Sequence, residues 1–390
     1  MADPPLAASL GRLGTETAFT VLARAKGLER GGRDIIHLEI GEPDFETPDH
    51  VLEAGIAALR AGHTHYCPSA GLDEFREAIA AYFTRTRRVE TPARRCLVGN
   101  GAKPFLFFTI LACCDPDDEV VYPDPGFPIY ESAIRFAGAV PVPLELREED
   151  GFSLDPGRLE ALLTPRTRLV ILNYPQNPTG GALGAATAEA AAAILERSGA
   201  WVLSDEVYSQ LQYDEPFASV ASYGDLAERT IVLDGLSKTY AMTGWRCGFA
   251  AVPGALVEPL TRFFVNSTSC VPPFVQLAGV AALDGPQDAV RSMVAEFVRR
   301  REIVVDGLNA LPGVRCPRPA GAFYAFPNVS GTPLQADELA ERLLDEAGVA
   351  TLAGSAFGRA GRDHLRISYA NSESNLREAL TRFGALLAEL

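Results

Sequence analysis

Lysine is nearly absent from this chain: of its 35 basic residues only Lys26, Lys103 and Lys238 are lysines, and the rest are arginines. Arginine serves as well on a solvated surface, so any chemistry that needs an amine has three candidates. Positive charge is scarce too. The 35 Lys+Arg stand against 50 Asp+Glu, a net charge of −15, and no basic run is concentrated anywhere, which disfavours nucleic acid and anionic membranes as partners. The longest strongly apolar stretch, Phe105 to Cys114, has ten residues, whereas a bilayer-spanning helix needs about 20. The N-terminus, Met1-Ala2-Asp3-Pro4-Pro5, carries an acid where a signal peptide has its basic start, and no apolar segment follows, so secretion has no support. The seven cysteines are an odd number, with no C-x-x-C pair and no histidine pair at metal-ligand spacing. They read as reduced, buried thiols of a cytoplasmic protein that holds no metal.

What is present is a large core and a repeated pattern. A length of 390 residues predicts about two or three domains. From residue 95 onward short aliphatic runs alternate with helical stretches: Cys96-Leu97-Val98 then Lys103 to Ala112, Glu119 to Tyr122 then Pro128 to Phe136, Leu169 to Leu172 then Ala185 to Glu196, followed by Trp201 to Leu203 and Ile231 to Leu233. Runs this continuous predict strands buried on both faces of a mostly parallel sheet. After Pro286 the texture changes to one long amphipathic helix through Val290, Val294, Phe297, Val304 and Leu308. A strand at Ala322 to Phe326, a helix at Ala336 to Glu346, a strand at His364 to Tyr369 and a terminal helix then complete a smaller α+β unit. The first 45 residues lack a βα repeat and are expected to pack with that unit. The expected fold is therefore α/β, with a large domain over 48–288 and a small one made of 1–47 plus 289–390.

The segment that carries chemistry is Gly235-Leu236-Ser237-Lys238-Thr239-Tyr240-Ala241-Met242-Thr243-Gly244-Trp245-Arg246-Cys247-Gly248. A lysine at the end of a buried strand can lose its proton and form a Schiff base, while Ser237 and Arg246 can hold a nearby phosphate. Asn173-Tyr174-Pro175-Gln176-Asn177-Pro178-Thr179-Gly180 follows another strand, at the carboxyl end where open α/β sheets bind ligands. Asp205 closes the next strand in Ser204-Asp205-Glu206-Val207-Tyr208, and a buried carboxylate there needs a cationic partner. Gly101-Ala102-Lys103 joins a strand to a helix, a place for an anion.

Together these segments resemble the class I aminotransferases, pyridoxal-phosphate (PLP) enzymes of fold type I, from Gly41-Glu42-Pro43-Asp44-Phe45 to Arg366. Gly235 departs from the pattern, since many relatives have a phosphate-binding serine there, and Cys247 stands where an aliphatic residue is common. The resemblance implies that Lys238 carries the PLP, that Asp205 pairs with the pyridine nitrogen and keeps the ring an electron sink, and that Asn177 and Tyr208 contact its phenolate oxygen. It implies a phosphate cradle from Gly101, Ala102, Lys103, Ser237 and Arg246, and Phe127 against the cofactor face. Gly41, Asn177 and Arg366 fall to the substrate, with Arg366 on the α-carboxylate. Tyr66 matches a tyrosine that reaches the phosphate of the neighbouring subunit, which implies a homodimer with shared active sites.

The activity so implied is transfer of an amino group from an α-amino acid to a 2-keto acid. The same early chemistry also serves lyases, side-chain replacement, C–C bond formation and oxidases, which remain the alternative. A regulator with an aminotransferase-like sensor would need a separate DNA-binding domain, for which the chain leaves no room. Because Phe263 to Ala289 contains no Arg or Lys, and a distal carboxylate needs a charge partner, the preferred donor is expected to be non-dicarboxylic unless the N-terminal segment brings Arg12 or Arg24 into the site.

Overall fold

The computed structural model describes residues 4–390. At its centre lies a seven-stranded sheet: β1 (Cys96–Gly99), β2 (Glu119–Asp124), β3 (Val140–Glu145), β4 (Thr167–Asn173), β5 (Trp201–Asp205), β6 (Thr230–Gly235) and β7 (Gly248–Ala251), in the order β1-β7-β6-β5-β4-β2-β3. β1, β2, β6 and β7 are buried at every residue. Such strands are covered by helices on both faces, and the helices Lys103–Cys113 and Ala185–Ser198 are two of these covers.

Two strands of this sheet went unmarked in the sequence. β3 contains Pro141 and Pro143, which cannot donate to a ladder; the chain tolerates them because β3 is an edge strand, paired in parallel with β2 alone. β7 is a four-residue run with Gly248 at its start, too short to give a periodic signal, and it is antiparallel to both neighbours. All other pairings in this sheet are parallel. The carboxyl ends of β1, β2, β4, β5 and β6 therefore open at one edge, and the reversed β7 presents its amino end there. Residues at or just after the ends of these five strands, and Arg246 just before β7, meet at that edge.

The second unit is built from both ends of the chain. Ile36–His37 pairs in parallel with Val349–Ala350, and Ile36 and Leu38 share a core with Phe297, Leu339 and Tyr369, whereas Arg12 and Gly14 bond to Arg135, Phe136 and Ser132 of the large unit. The helix Asp288–Asn309 buries Val290, Phe297, Val304 and Leu308. The strand expected at Ala322 to Phe326 shrinks to Tyr324–Ala325, because Ala322 has a left-handed φ of 56° that breaks the extended run. It pairs with Leu365–Ser368, which pairs in turn with Leu352–Ala353. All seven cysteines are unpaired, yet only Cys96, Cys114, Cys247 and Cys316 are buried; Cys67, Cys113 and Cys270 are half-buried. Among the described residues no helix is long and apolar enough to cross a membrane.

Candidate active site

A cavity of about 580 Å³ lies at the open sheet edge and is lined by residues of both units. Lys238 sits on the single helical turn Leu236–Thr239 directly after β6. Its ammonium donates to the Gly41 carbonyl and lies 5.9 Å from the Tyr208 ring and 5.7 Å from the Phe323 ring. Burial among these groups lowers its pKa to about 8, with Arg366 and Arg246 adding to the effect and Glu42 opposing it. Gly235, before this turn, is closely packed: a Cβ on it would stand 3.2 Å from the Cys247 carbonyl across the β6–β7 ladder, a contact that needs a small shift of the backbone.

Asp205 ends β5, fully enclosed. The Tyr130 hydroxyl donates to its Oδ2 at 2.7 Å, and burial outweighs that bond to push its pKa up to about 6. Asn173 fastens the neighbouring loop: its Nδ2 donates to the Asp205 carbonyl at 3.0 Å, while its Oδ1 accepts from the Asn177 N–H at 3.0 Å. The register that places Asn173 beside Asp205 makes this possible. Beneath lies a buried ionic network in which Arg87 Nε donates to Glu206 Oε2 at 2.7 Å and Nη2 pairs with Asp234.

Arg366 reaches the cavity from the small unit, on Leu365–Ser368. Its Nη1 donates to Asn177 Oδ1 at 3.1 Å and its Nη2 to the Glu39 carbonyl. The guanidinium lies between the Tyr324 and Phe357 rings, at 4.6 and 4.9 Å, and its buried Nε has no partner among the described residues. Tyr208 and Tyr324 join through their hydroxyls at 2.8 Å, and burial holds the Tyr208 phenol well above its ordinary range. Gly41 must lack a side chain, since a Cβ there would meet the Tyr324 hydroxyl at 2.0 Å.

At the other end, Gly101 has a φ of +90°, and a Cβ on it would lie 2.4 Å from Arg246 Nη2; a Cβ on Gly248 would lie 2.3 Å from the Gly101 carbonyl carbon. Bare backbone, the start of the helix Lys103–Cys113, the Ser237 side chain and the Arg246 guanidinium thus converge. Arg246, itself left-handed at φ 56°, is held by donating from Nη1 to the Thr243 carbonyl at 2.9 Å.

Of the residues singled out from sequence, Gly41, Ala102, Lys103, Phe127, Asn177, Asp205, Tyr208, Ser237, Lys238, Arg246 and Arg366 all line this cavity, and Gly101 adjoins it. Tyr66 does not; it is 90% exposed. Lys103 differs from expectation in where its ammonium points, namely at Glu16 Oε2, 2.7 Å away. Arg12 and Arg24 stay outside, the first donating to the Arg135 and Phe136 carbonyls and the second paired with Asp345. The sequence reading missed Tyr130, Asn173, Tyr324 and Glu16. Tyr130 and Asn173 were within reach, since both flank strand ends that carry other site residues. Tyr324 and Glu16 had no local signal.

The donor set fits one kind of group. An amine poised near neutrality, a buried carboxylate that lacks a cation, and a side-chain-free cradle backed by a guanidinium match the aldehyde, the ring nitrogen and the phosphate of pyridoxal 5′-phosphate. By fold and site this is a PLP enzyme of fold type I. Residues 33–383 match the family model described as aminotransferase class I and II. The chain is 39% identical to the aspartate aminotransferase of Pyrococcus horikoshii, over 90% of each protein. It is 39% identical to aromatic-amino-acid aminotransferase 2 of Thermococcus litoralis, over 93% of this chain and 94% of that one. The crystal structure of the Rhizobium meliloti aspartate aminotransferase superposes with a TM-score of 0.94 over 99% of both chains, at 37% identity. The chain belongs to the class I and II aminotransferases: it transfers an amino group between an amino acid and a 2-keto acid, with PLP as cofactor.

Proposed function

We propose the following division of labour within that activity. The phosphate is held by Gly101, Ala102, the backbone start of the helix at Lys103, Ser237 and Arg246; the ring nitrogen by Asp205; the phenolate oxygen by Asn177 and Tyr208; and Phe127 covers a ring face. When bound, PLP accepts the amino group and takes up the electron pair left on the donor Cα when its proton departs. Lys238 Nζ, neutral in appreciable fraction because its pKa lies near 8, takes that Cα proton and returns it to the carbon that receives the nitrogen. Arg366 reads the α-carboxylate. Its aromatic packing fixes the guanidinium plane, and its unpartnered buried Nε leaves a donor to satisfy. The Gly41 backbone, kept open by the absence of a Cβ, borders the same end of the substrate.

The observation that carries this reading is that Lys238, Asp205 and Arg366, from three separate stretches, line one cavity. Borohydride reduction of the holoenzyme followed by peptide mapping tests it. The expected label is on Lys238; a label on Lys103 or Lys26, or none, refutes it.

We also propose a homodimer. Tyr66 stands exposed and outside its own cavity, a placement suited to the phosphate of a second copy, and an isologous interface would complete two sites at once. Sedimentation is expected to give a dimer, and a fully active monomer would contradict it. The proposed domain boundaries, 48–288 against 1–47 plus 289–390, place the helix Asp288–Asn309 almost wholly in the small domain. A cytoplasmic location agrees with unpaired cysteines throughout.

A further inference from the structure

Among the described residues four cationic side chains line the cavity: Lys103, Lys238, Arg246 and Arg366. On the reading above, three have tasks, with Lys238 on the proton, Arg246 on the phosphate and Arg366 on the α-carboxylate. Lys103 alone is left to read a donor's side chain. A distal carboxylate leaving water needs such a charge. Lys103, however, already has a partner, because Glu16 Oε2 accepts from its ammonium at 2.7 Å.

Glu16 is not in this position by default. It is the N-cap residue of the helix Thr17–Arg30, where side-chain oxygens commonly accept from the first helical N–H groups. Its side chain makes no such bond. Instead the carboxylate turns into the cavity. Ala18, Phe19, Ile40, Leu106 and Phe127 give the same cavity apolar lining, and the Lys103 ammonium lies 5.3 Å from the Phe127 ring and 5.9 Å from that of Phe19.

We infer that Glu16 is a specificity-determining residue: by neutralising Lys103, which lines the cavity from its exposed side, it selects amino acids with apolar or aromatic side chains and rejects aspartate and glutamate. A dicarboxylic donor must break the Glu16–Lys103 bond and then sit beside the displaced carboxylate, a like-charge contact that discriminates against it. An apolar side chain leaves the pair intact and packs against Phe19. The inference rests on the proposed role of Arg366, and it sets this chain apart from those relatives that are named for aspartate.

The test is kcat/KM of the holoenzyme for phenylalanine, leucine, aspartate and glutamate, in the wild type, Glu16→Gln and Arg366→Lys. The wild type is expected to favour phenylalanine or leucine over aspartate by at least tenfold, and Glu16→Gln to move that ratio at least tenfold toward aspartate. Calorimetry with succinate supplies a readout free of turnover: Glu16→Gln is expected to bind it at least tenfold more tightly than the wild type. Arg366→Lys is expected to depress all four donors together. A wild type that prefers aspartate or glutamate, or a Glu16→Gln ratio and succinate affinity unchanged while Arg366→Lys still depresses every donor, overturns the inference alone. If Arg366→Lys leaves all donors unchanged, the assignment of Arg366 fails and this inference falls with it.

Discussion

Asp205 allows a quantitative test of the site without any substrate. In the cofactor-free protein its carboxyl is buried with one hydroxyl donor and no cation, and its pKa is pushed up from 3.8 to about 6. Between those two values the folded protein keeps a proton that the unfolded chain has released, so stability must fall as pH rises from about 4 to about 6 and then level off. At 1.36 kcal/mol per pH unit the loss amounts to about 3 kcal/mol. Asp205→Asn removes it, because the amide is neutral at every pH and its oxygen still accepts from Tyr130. The wild type minus Asp205→Asn difference in unfolding free energy, measured in urea from pH 4 to pH 7.5 at fixed protein concentration, is therefore expected to decline by most of that amount. Carboxylates remote from Asp205 are common to both proteins and cancel, and Asp234 and Glu206, whose charges help to raise Asp205, enter only through that coupling. In melting temperature the same change is about 4 °C, given roughly 2.1 cal/mol/K of unfolding entropy per residue. Added PLP supplies the missing cation through its protonated ring nitrogen, so above pH 6 it should stabilise the wild type well beyond Asp205→Asn. A difference that stays flat across the pH range would show that Asp205 is ionised throughout, and the case for a carboxylate waiting for a cation would collapse.

Other expectations follow from the same geometry. Tyr130→Phe removes the 2.7 Å bond to Asp205, worth about 1.5–3 kcal/mol to a charged acceptor, and is expected to weaken PLP affinity roughly tenfold or more in a fluorescence titration. The rate at which added PLP attaches to Lys238 should rise with pH through about 8, the pKa of its amine, because only the neutral form attacks an aldehyde; stopped-flow absorbance checks this. Arg87→Met leaves Glu206 and Asp234 buried without their shared cation and should cost about 3–5 kcal/mol in denaturant unfolding. A smaller loss would mean that water enters the network.

The sequence alone determined the chemistry that clusters at strand ends. Lys238, Asp205 and Asn177 each follow a buried aliphatic run, and a run of that kind is legible because burial on both faces of a sheet leaves a continuous local pattern. The long helix Asp288–Asn309 was legible for the same reason, through its periodic apolar face. Tertiary structure decided which of these ends meet. Arg366 bonds Asn177 across 189 residues of chain, and no local pattern records that distance. Arg246 reaches the cradle because β7 runs against its neighbours, a reversal that a four-residue strand cannot announce. Nothing in the sequence singles out Glu16; only the packing of the N-terminal segment over the cavity set it 2.7 Å from Lys103. Periodicity reports whether a face is buried, because burial is imposed residue by residue. Which charge faces which is fixed by strand order and by the approach of two units, and for the donor side chain those contacts decide.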